Sequence, residues 1–244
     1  GDKVYYGYAD CDENKDQTYS NTELADTRPD HNYSNGFCTK CGAYQPATLT
    51  TDKYDIDGVE GFDEVYEIGN AGQLYWFAAL VNGTDGLTQN LGANAILTAD
   101  ITVNTGVLNA DGTLASNTSS FKVWTPIKGN DYPNYYAGTF DGQNHTVSGL
   151  YFDDSSVMRI GLFGHLGSSG KVYNVGVVDS YIKGQEYVGG VCGYNYYGTI
   201  SNCYNTGAVS GSNSSVGGVC GNNYGGVKNC YNTGAVIGAS WYIG

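Results

Sequence analysis

The chain has 244 residues, of which only 14% are charged, and its formal net charge is −13. Nucleic acid and anionic membrane surfaces are therefore excluded as partners, because both are polyanions that require clustered Lys and Arg. No apolar run approaches the length of a membrane-spanning helix. The 37 Gly and 23 Tyr are typical of an exported β-rich protein rather than a cytosolic enzyme.

The first 50 residues are poor in apolar side chains but contain a C-x-x-C-G sequence. Such a turn can place two thiolates, here those of Cys38 and Cys41, on one metal ion. His31 and Cys11 would complete a tetrahedral set, so we predict a structural zinc site formed by these four side chains. The segment 1–50 is then a small knuckle-like appendage. Two alternatives remain open: a disulfide between Cys38 and Cys41, or a segment with neither a metal nor a disulfide.

Residues 70–82 predict the one helix of the chain. Asn70 is a suitable N-cap with Gln73 as its capping-box partner, and the Asn-Gly pair that ends at Gly83 is a natural stop. Apolar residues recur at helical spacing and form one face, namely Leu74, Phe77, Ala78 and Val81. Because an open β-helix exposes its core and its strand edges, we expect this helix to cap the N-terminal end.

The end of the chain repeats itself. Residues 188–211 read VGGVCGYNYYGTISNCYNTGAVSG and residues 216–238 read VGGVCGNNYGGVKNCYNTGAVIG. Each copy has three short apolar runs bounded by turn residues, a pattern that favours strands over helices. Repeats of this length stack into solenoids.

We therefore predict an all-β fold, a right-handed parallel β-helix with about 27–28 residues per coil and one capping helix. The β-helix domain would span 51–244 and hold repeats at 161–187, 188–215 and 216–244. The segments 93–103 and 138–152 have the same character and would form earlier, less regular coils.

Stacking of the copies predicts which side chains form columns. Val172, Ile200 and Val227 would share one stacking column. Asn174, Asn202 and Asn229 fall in register at a corner, where their amides would form a hydrogen-bonded ladder; the alternative is that they are ordinary turn residues.

The four repeat cysteines take positions that are apolar in the upstream copy. They are Cys192, Cys203, Cys220 and Cys230. Free Cys behaves as a small buried hydrophobe, and a bridge along a parallel ladder has unfavourable geometry. We predict free thiols, with Cys192 and Cys220 both buried.

Tyrosines repeat in register as well. Since Cys203 and Cys230 would point inward, the residues that follow them would point outward. Exposed aromatic side chains suit the binding of sugars or proteins, whereas stacked rings can also serve only to stabilise neighbouring coils. The candidate ligand-binding residues are Tyr196, Tyr204, Tyr224 and Tyr231.

Several segments together resemble a known family. VGGVCGYN, GLFGHLG and TISNCYNTGAVSG resemble the GLUG repeat of bacterial surface proteins, and VYEIGNAGQLYWFAALVNG and GTFDGQNHTVSGLYF resemble segments that precede such repeats. The similarity covers about residues 64–240. It implies a β-solenoid that is extracellular or on the surface of a bacterium. The knuckle-like segment resembles short elements of surface proteins too.

Motifs for catalysis are missing from the sequence, which contains neither H-E-x-x-H nor G-x-S-x-G. We expect His145 to make a structural hydrogen bond and His165 to be exposed at a corner. The acidic residues of the coils, together with Arg159, are scattered; they are Asp141, Asp153, Asp154 and Asp179.

The sequence thus favours a non-enzymatic cell-surface module, adhesin-like or structural, that presents a binding surface to extracellular glycans or proteins. We expect the isolated chain to be a monomer without cofactor other than structural zinc. The alternative is a carbohydrate-active β-helix enzyme of the polysaccharide lyase or hydrolase type, which would use clustered carboxylates.

Overall fold

The structure, a computed structural model, describes residues 31–56, 61–129, 134–239 and 241–244. The predicted zinc ligand Cys11 therefore lies outside the described residues. Helix α1 spans Ala71–Asn82, and a 3-10 turn spans Thr118–Ser120. The strands before the repeats are β1 (Tyr33–Ser34), β2 (Phe37–Cys38), β3 (Thr48–Thr50), β4 (Val65–Ile68), β5 (Asn94–Leu97), β6 (Ile101–Thr102), β7 (Thr139–Asp141), β8 (Thr146–Ser148) and β9 (Tyr151–Asp153).

The repeats supply the remaining strands. These are β10 (Phe163–Leu166), β11 (Lys171–Tyr173), β12 (Gly176–Val178), β13 (Tyr181–Gly184), β14 (Val188–Gly189), β15 (Cys192–Asn195), β16 (Thr199–Ser201), β17 (Tyr204–Asn205), β18 (Ala208–Gly211), β19 (Val216–Gly217), β20 (Cys220–Asn223), β21 (Gly226–Lys228), β22 (Tyr231–Asn232) and β23 (Val236–Gly238).

Equivalent strands of successive coils pair in parallel. The largest sheet has the order β21-β16-β11-β7-β5-β4-β3, and only its edge pair β3–β4 is antiparallel. The other solenoid sheets are β22-β17-β12-β8-β6, β23-β18-β13-β9, β10-β15-β20 and β14-β19. The result is a parallel β-solenoid of about 6 turns with one helix near its N-terminal end. The predicted fold class is confirmed.

The predicted columns are present. Val172 pairs with Ile200, which pairs with Val227. Val172 and Ile200 are fully buried, whereas Val227 is 37% exposed because β21 lies at the edge of its sheet. Burying an aliphatic side chain of this kind contributes about 1.5–3 kcal/mol. The core is thus built column by column.

The asparagine ladder is also confirmed. Asn229 Nδ2 donates to Asn202 Oδ1 at 3.3 Å, and Asn202 Nδ2 donates to Asn174 Oδ1 at 2.9 Å. Asn174 Nδ2 in turn donates to Asp141 Oδ1 at 2.9 Å. The three asparagines have φ between 51° and 53°, the left-handed region that Asn tolerates better than most residues. Each one therefore turns a corner and links two coils.

Helix α1 has the predicted ends. Asn70 Oδ1 accepts from the Gln73 N–H at 3.0 Å, and Gln73 Oε1 accepts from the Gly69 N–H at 2.8 Å. At the other end Gly83 has φ 71°, and its N–H bonds to Ala79 O at 2.8 Å. These contacts satisfy backbone groups that a helix leaves unpaired at its ends.

The helix is buried on more than the single face expected from its sequence. Phe77 packs against Tyr136 and Phe140 of the solenoid core. On another side the β1–β2 hairpin covers it, with the Phe37 ring 5.4 Å from the Tyr75 ring. Tyr75 is consequently only 5% exposed. The helix therefore joins the hairpin to the end of the solenoid.

A long connection between β6 and β7 returns to the core before the repeats begin. Within it, Ile127 pairs with Phe163 and Tyr136 pairs with Leu166 through isolated parallel bridges. The connection thus adds a partial coil beside β10. This places Tyr135, the neighbour of Tyr136, on the same side of the solenoid as the repeats.

Candidate functional site

The hairpin β1–β2 shapes the knuckle-like segment. Asn35 and Gly36 form its two-residue turn with φ of 48° and 76°, as such hairpins require. After β2 the chain turns back sharply. The Gly42 N–H donates to Cys38 O at 2.9 Å, and Gly42 has φ 75°.

This turn brings together three of the four predicted zinc ligands. The donor atoms of His31, Cys38 and Cys41 all lie within 4.8 Å of one another. His31 Nδ1 is 3.7 Å from Cys41 Sγ, close to the roughly 3.6 Å that tetrahedral zinc with ordinary bond lengths requires. The backbone N–H of Cys41, followed by His31, lowers the pKa of Cys38 to about 7. The donor set therefore fits zinc.

The redox state of the cysteines decides whether a metal can bind. Cys38 is not in a disulfide, whereas Cys41 is disulfide-bonded. The alternative prediction of a disulfide between Cys38 and Cys41 is therefore wrong. A sulfur in a disulfide cannot act as a thiolate ligand, so zinc binding requires Cys41 to be reduced.

All four repeat cysteines carry free thiols, as predicted. Cys192 and Cys203 are buried, and burial raises the pKa of Cys192 well above its usual value. The prediction that Cys220 is buried like Cys192 was wrong. Cys220 is only half-buried because β20 is the edge strand of its sheet.

Two of the four predicted tyrosines form what we call the tyrosine stack. Tyr204 pairs with Tyr231, and their rings are parallel within 2° at a centroid distance of 5.1 Å. The Tyr204 ring also lies over Gly176, where a Cβ would be 2.2 Å from the ring. Tyr231 is 55% exposed, which confirms that the pair points outward.

The other two belong to a larger group along the sheet β10-β15-β20. Tyr194 contacts both Tyr196 and Tyr224, and Tyr197 contacts the same two rings. Tyr196, Tyr197 and Tyr224 are 39%, 58% and 56% exposed. We call this group the tyrosine cluster; its members are Tyr135, Tyr187, Tyr194, Tyr196, Tyr197 and Tyr224.

Sequence reasoning missed four members of this cluster. Tyr194 gave no usable signal, because it lies two residues after the inward-facing Cys192 and strand alternation alone would place it on the same, inward side. Tyr135 gave none either, because it lies in the irregular connection before the repeats. The structure therefore separates the predicted tyrosines into two surfaces on different sheets.

His165 lies beneath the tyrosine cluster. It is 1% exposed, so the prediction that it is exposed was wrong. The rings of Tyr135 and Tyr194 cover it edge-on, at centroid distances of 4.5 and 4.9 Å. Burial, followed by the nearby charges of Arg159 and Lys128, lowers the pKa of His165 to about 4. The imidazole is therefore uncharged at neutral pH.

The acidic residues considered for catalysis each take part in local contacts. Asp153 pairs with Lys183 at 2.9 Å, and Asp154 accepts from Ser156. Asp179 accepts from the Leu108 N–H at 3.1 Å. Among the described residues, these carboxylates do not form a metal-ligating group of three or more.

His145 has the expected structural role. Its Nδ1 lies 3.3 Å from Asp100 Oδ1, and the same oxygen accepts from the Thr146 N–H at 2.8 Å. This contact fixes the corner before β8. Separately, within the described ranges, α1 is too short to cross a membrane.

The family comparison agrees with this arrangement. The GLUG motif matches residues 184–210 and 212–237. The chain carries two GLUG motifs. They coincide with the coils that supply the four predicted tyrosines, Tyr196, Tyr204, Tyr224 and Tyr231. The predicted resemblance is therefore confirmed.

Two individual proteins are similar to the GLUG-bearing chain. Halomucin of Haloquadratum walsbyi (strain DSM 16790 / HBSQ001) is 36% identical over 126 residues, which are 51% of this chain and 1% of halomucin. The crystal structure of a candidate immunoglobulin A1 protease from Bacteroides ovatus aligns with 77% of this chain, and the alignment spans 63% of the protease chain, with 19% identity and a TM-score of 0.49.

Proposed function

We propose that this chain is a non-catalytic module of a cell-surface or secreted protein, and that its solenoid presents a rigid binding surface to extracellular glycans or proteins. The GLUG motifs and the similarity to halomucin support this location. The observation that carries the proposal is the exposure of tyrosines on coils that ladders hold in register.

Two surfaces are candidates for the ligand. One is the tyrosine cluster with Tyr196 and Tyr224, and the other is the tyrosine stack of Tyr204 and Tyr231. Aromatic side chains supply large contact areas at a small cost in conformational entropy. A solenoid that repeats such contacts gains avidity when its ligand is also repetitive.

The test is binding by the purified chain. Immobilised protein is expected to retain cells, or glycans and proteins released from their surface, and antibodies against it are expected to label the intact cells that produce it. Labelling only after lysis would contradict the location. Release of oligosaccharides from a polysaccharide would instead favour the carbohydrate-active enzyme.

We also propose that zinc stabilises the knuckle-like segment when Cys41 is reduced. His31, Cys38 and Cys41 would hold the ion with Cys11 as the fourth ligand. Four protein ligands leave no open position for water, so the role is structural. It would fasten the hairpin that covers helix α1.

Elemental analysis tests the zinc site directly. Protein purified under reducing conditions should contain about one zinc per chain, and Cys38→Ser should lose it. Cys220→Ser is the matched control, because Cys220 is a free and partly exposed thiol outside the knuckle. Reduced wild-type protein without zinc would contradict the proposal.

A further inference from the structure

His165 is a buried polar side chain to which the described residues supply no hydrogen bond. Both ring nitrogens are inaccessible to solvent, and neither has a hydrogen-bond partner among the described residues. Buried polar groups are normally paired, and leaving one unpaired costs stability. Such a group is therefore a candidate to pair with an external ligand.

The tyrosine cluster lies directly above this imidazole. His165 pairs in register with Tyr194, and the ring of Tyr194 forms one wall over it. The ring of Tyr135 forms the other wall. Both walls stand nearly perpendicular to the imidazole, at 82° and 89°. The two rings thus frame a slot with His165 at its floor.

The ring of Tyr196 fills this slot. It is parallel to Tyr135 within 12° at 5.4 Å and to Tyr194 within 20° at 6.4 Å. Its backbone N–H is fixed by a 2.7 Å bond to Leu166 O, but its side chain is 39% exposed. A side-chain rotation alone would therefore open the slot without disturbing the solenoid.

We infer that the tyrosine cluster binds a neutral glycan, with one sugar ring taking the place of the Tyr196 ring between Tyr135 and Tyr194 and one sugar hydroxyl bonded to His165. This inference rests on the proposed function and names the ligand class and the surface.

The chemistry of the slot favours a sugar. A pyranose is flat enough to pack its C–H face against an aromatic ring, and here it would have a ring on each side. A neutral imidazole offers one donor and one acceptor, which is what a hydroxyl group complements. The net charge of −13 repels an anionic polymer as a whole. Two cations, Arg159 and Lys128, lie near His165 and act only locally, so hyaluronan is the comparison that tests the preference for a neutral glycan.

The slot also sets the direction of a bound polymer. Tyr135 and Tyr194 come from successive parts of the solenoid, and their rings would face the two sides of the sugar. An extended glycan continues in the mean plane of its sugar rings, so it would run across the solenoid axis, between the two walls.

Affinity electrophoresis with neutral polysaccharides tests the inference. Gels would contain hydroxyethylcellulose, xyloglucan or galactomannan, with hyaluronan as the anionic comparison. We expect at least one neutral polymer to retard the chain and hyaluronan not to. His165→Phe keeps a ring but removes both nitrogens, and Tyr194→Ala removes a wall; each should weaken retardation at least ten-fold. Tyr196→Ala should strengthen it, because no ring then competes for the slot.

Tyr231→Ala separates this inference from the proposed function. Tyr231 is as exposed as Tyr224, 55% against 56%, but belongs to the tyrosine stack. Retained binding is expected. If Tyr231→Ala loses binding and Tyr194→Ala does not, the inference is wrong and the binding module stands. If no polysaccharide retards the chain, the inference is wrong, and retention of cells or surface proteins still decides the proposed function.

A spectroscopic readout is independent of the variants. The chain has three histidines, so the imidazole nitrogens of His165 can be identified by NMR through comparison with His165→Phe. Adding an oligosaccharide of the retarding polymer should shift these nitrogen signals while the protein remains folded. Binding that leaves them unchanged would place the sugar elsewhere.

Discussion

Replacing Asn202 by alanine is expected to destabilise the solenoid by about 2–4 kcal/mol. Asn202 has φ 53°, and a left-handed conformation costs an ordinary L-residue about 1–2 kcal/mol. Its side chain also donates to Asn174 at 2.9 Å and accepts from Asn229 at 3.3 Å. Both bonds are exposed, so we take the low end of the usual range, about 0.5–1 kcal/mol each.

Two further substitutions separate these contributions. Asn202→Gly loses the same two hydrogen bonds but adopts positive φ freely, so it should cost only about 1–2 kcal/mol. Asn202→Asp replaces the donor by an acceptor that faces Asn174 Oδ1, so it should destabilise the fold more than Asn202→Gly does. Equilibrium unfolding in urea measures all three. Equal losses for alanine and glycine would refute the backbone argument, and an unchanged glycine variant would refute the ladder's contribution.

Other perturbations test the region around the tyrosines. Burial, followed by the nearby Arg159 and Lys128, lowers the pKa of His165 to about 4 in the folded chain, whereas an unfolded chain has a histidine pKa near 6.5. The unfolded chain thus takes up the proton first, and the free energy of unfolding should fall by up to about 3 kcal/mol as the pH drops from 6.5 to 4. Melting temperature against pH should show this loss, and His165→Phe should flatten it; an unchanged slope would contradict the assignment. Gly176→Ala should lower the midpoint of unfolding because the new Cβ would clash with the Tyr204 ring. In the double variant, Tyr204→Ala should remove the part of the loss that the clash causes. Losses in the two single variants that simply add in the double variant would exclude the clash.

The repetitive part of the fold was predictable because residues at equivalent positions of two repeats become neighbours when the coils stack. Matching Ile200 with Val227 in the sequence is the same operation as pairing β16 with β21 in the structure. The Asn ladder followed from the same register, since residues at one corner stack whatever else the coil does. The repeat period and the turn residues are therefore enough to predict the contacts between neighbouring coils.

Contacts between unlike parts of the chain were not predictable in this way. His165 is buried by Tyr135, which lies in an irregular connection, and by Tyr194 of the next coil. Its own sequence context, beside glycines, favours a corner. The outer side of helix α1 is covered by Phe37 through tertiary packing that no periodicity encodes. The metal-ligand spacing was informative, but the disulfide state of Cys41 was not in the sequence.

The coil-by-coil pairing of the sheets also determines how the protein would respond to mechanical load. In the described sheets each coil pairs only with its neighbours, so tension applied at the chain's ends would peel an edge coil away while the rest stays intact. With equivalent residues such as Cys203 and Cys230 27 positions apart, one released coil would add about 90 Å of extended chain. Stepwise yielding of this kind would let a tethered protein absorb a sudden pull without breaking its attachment.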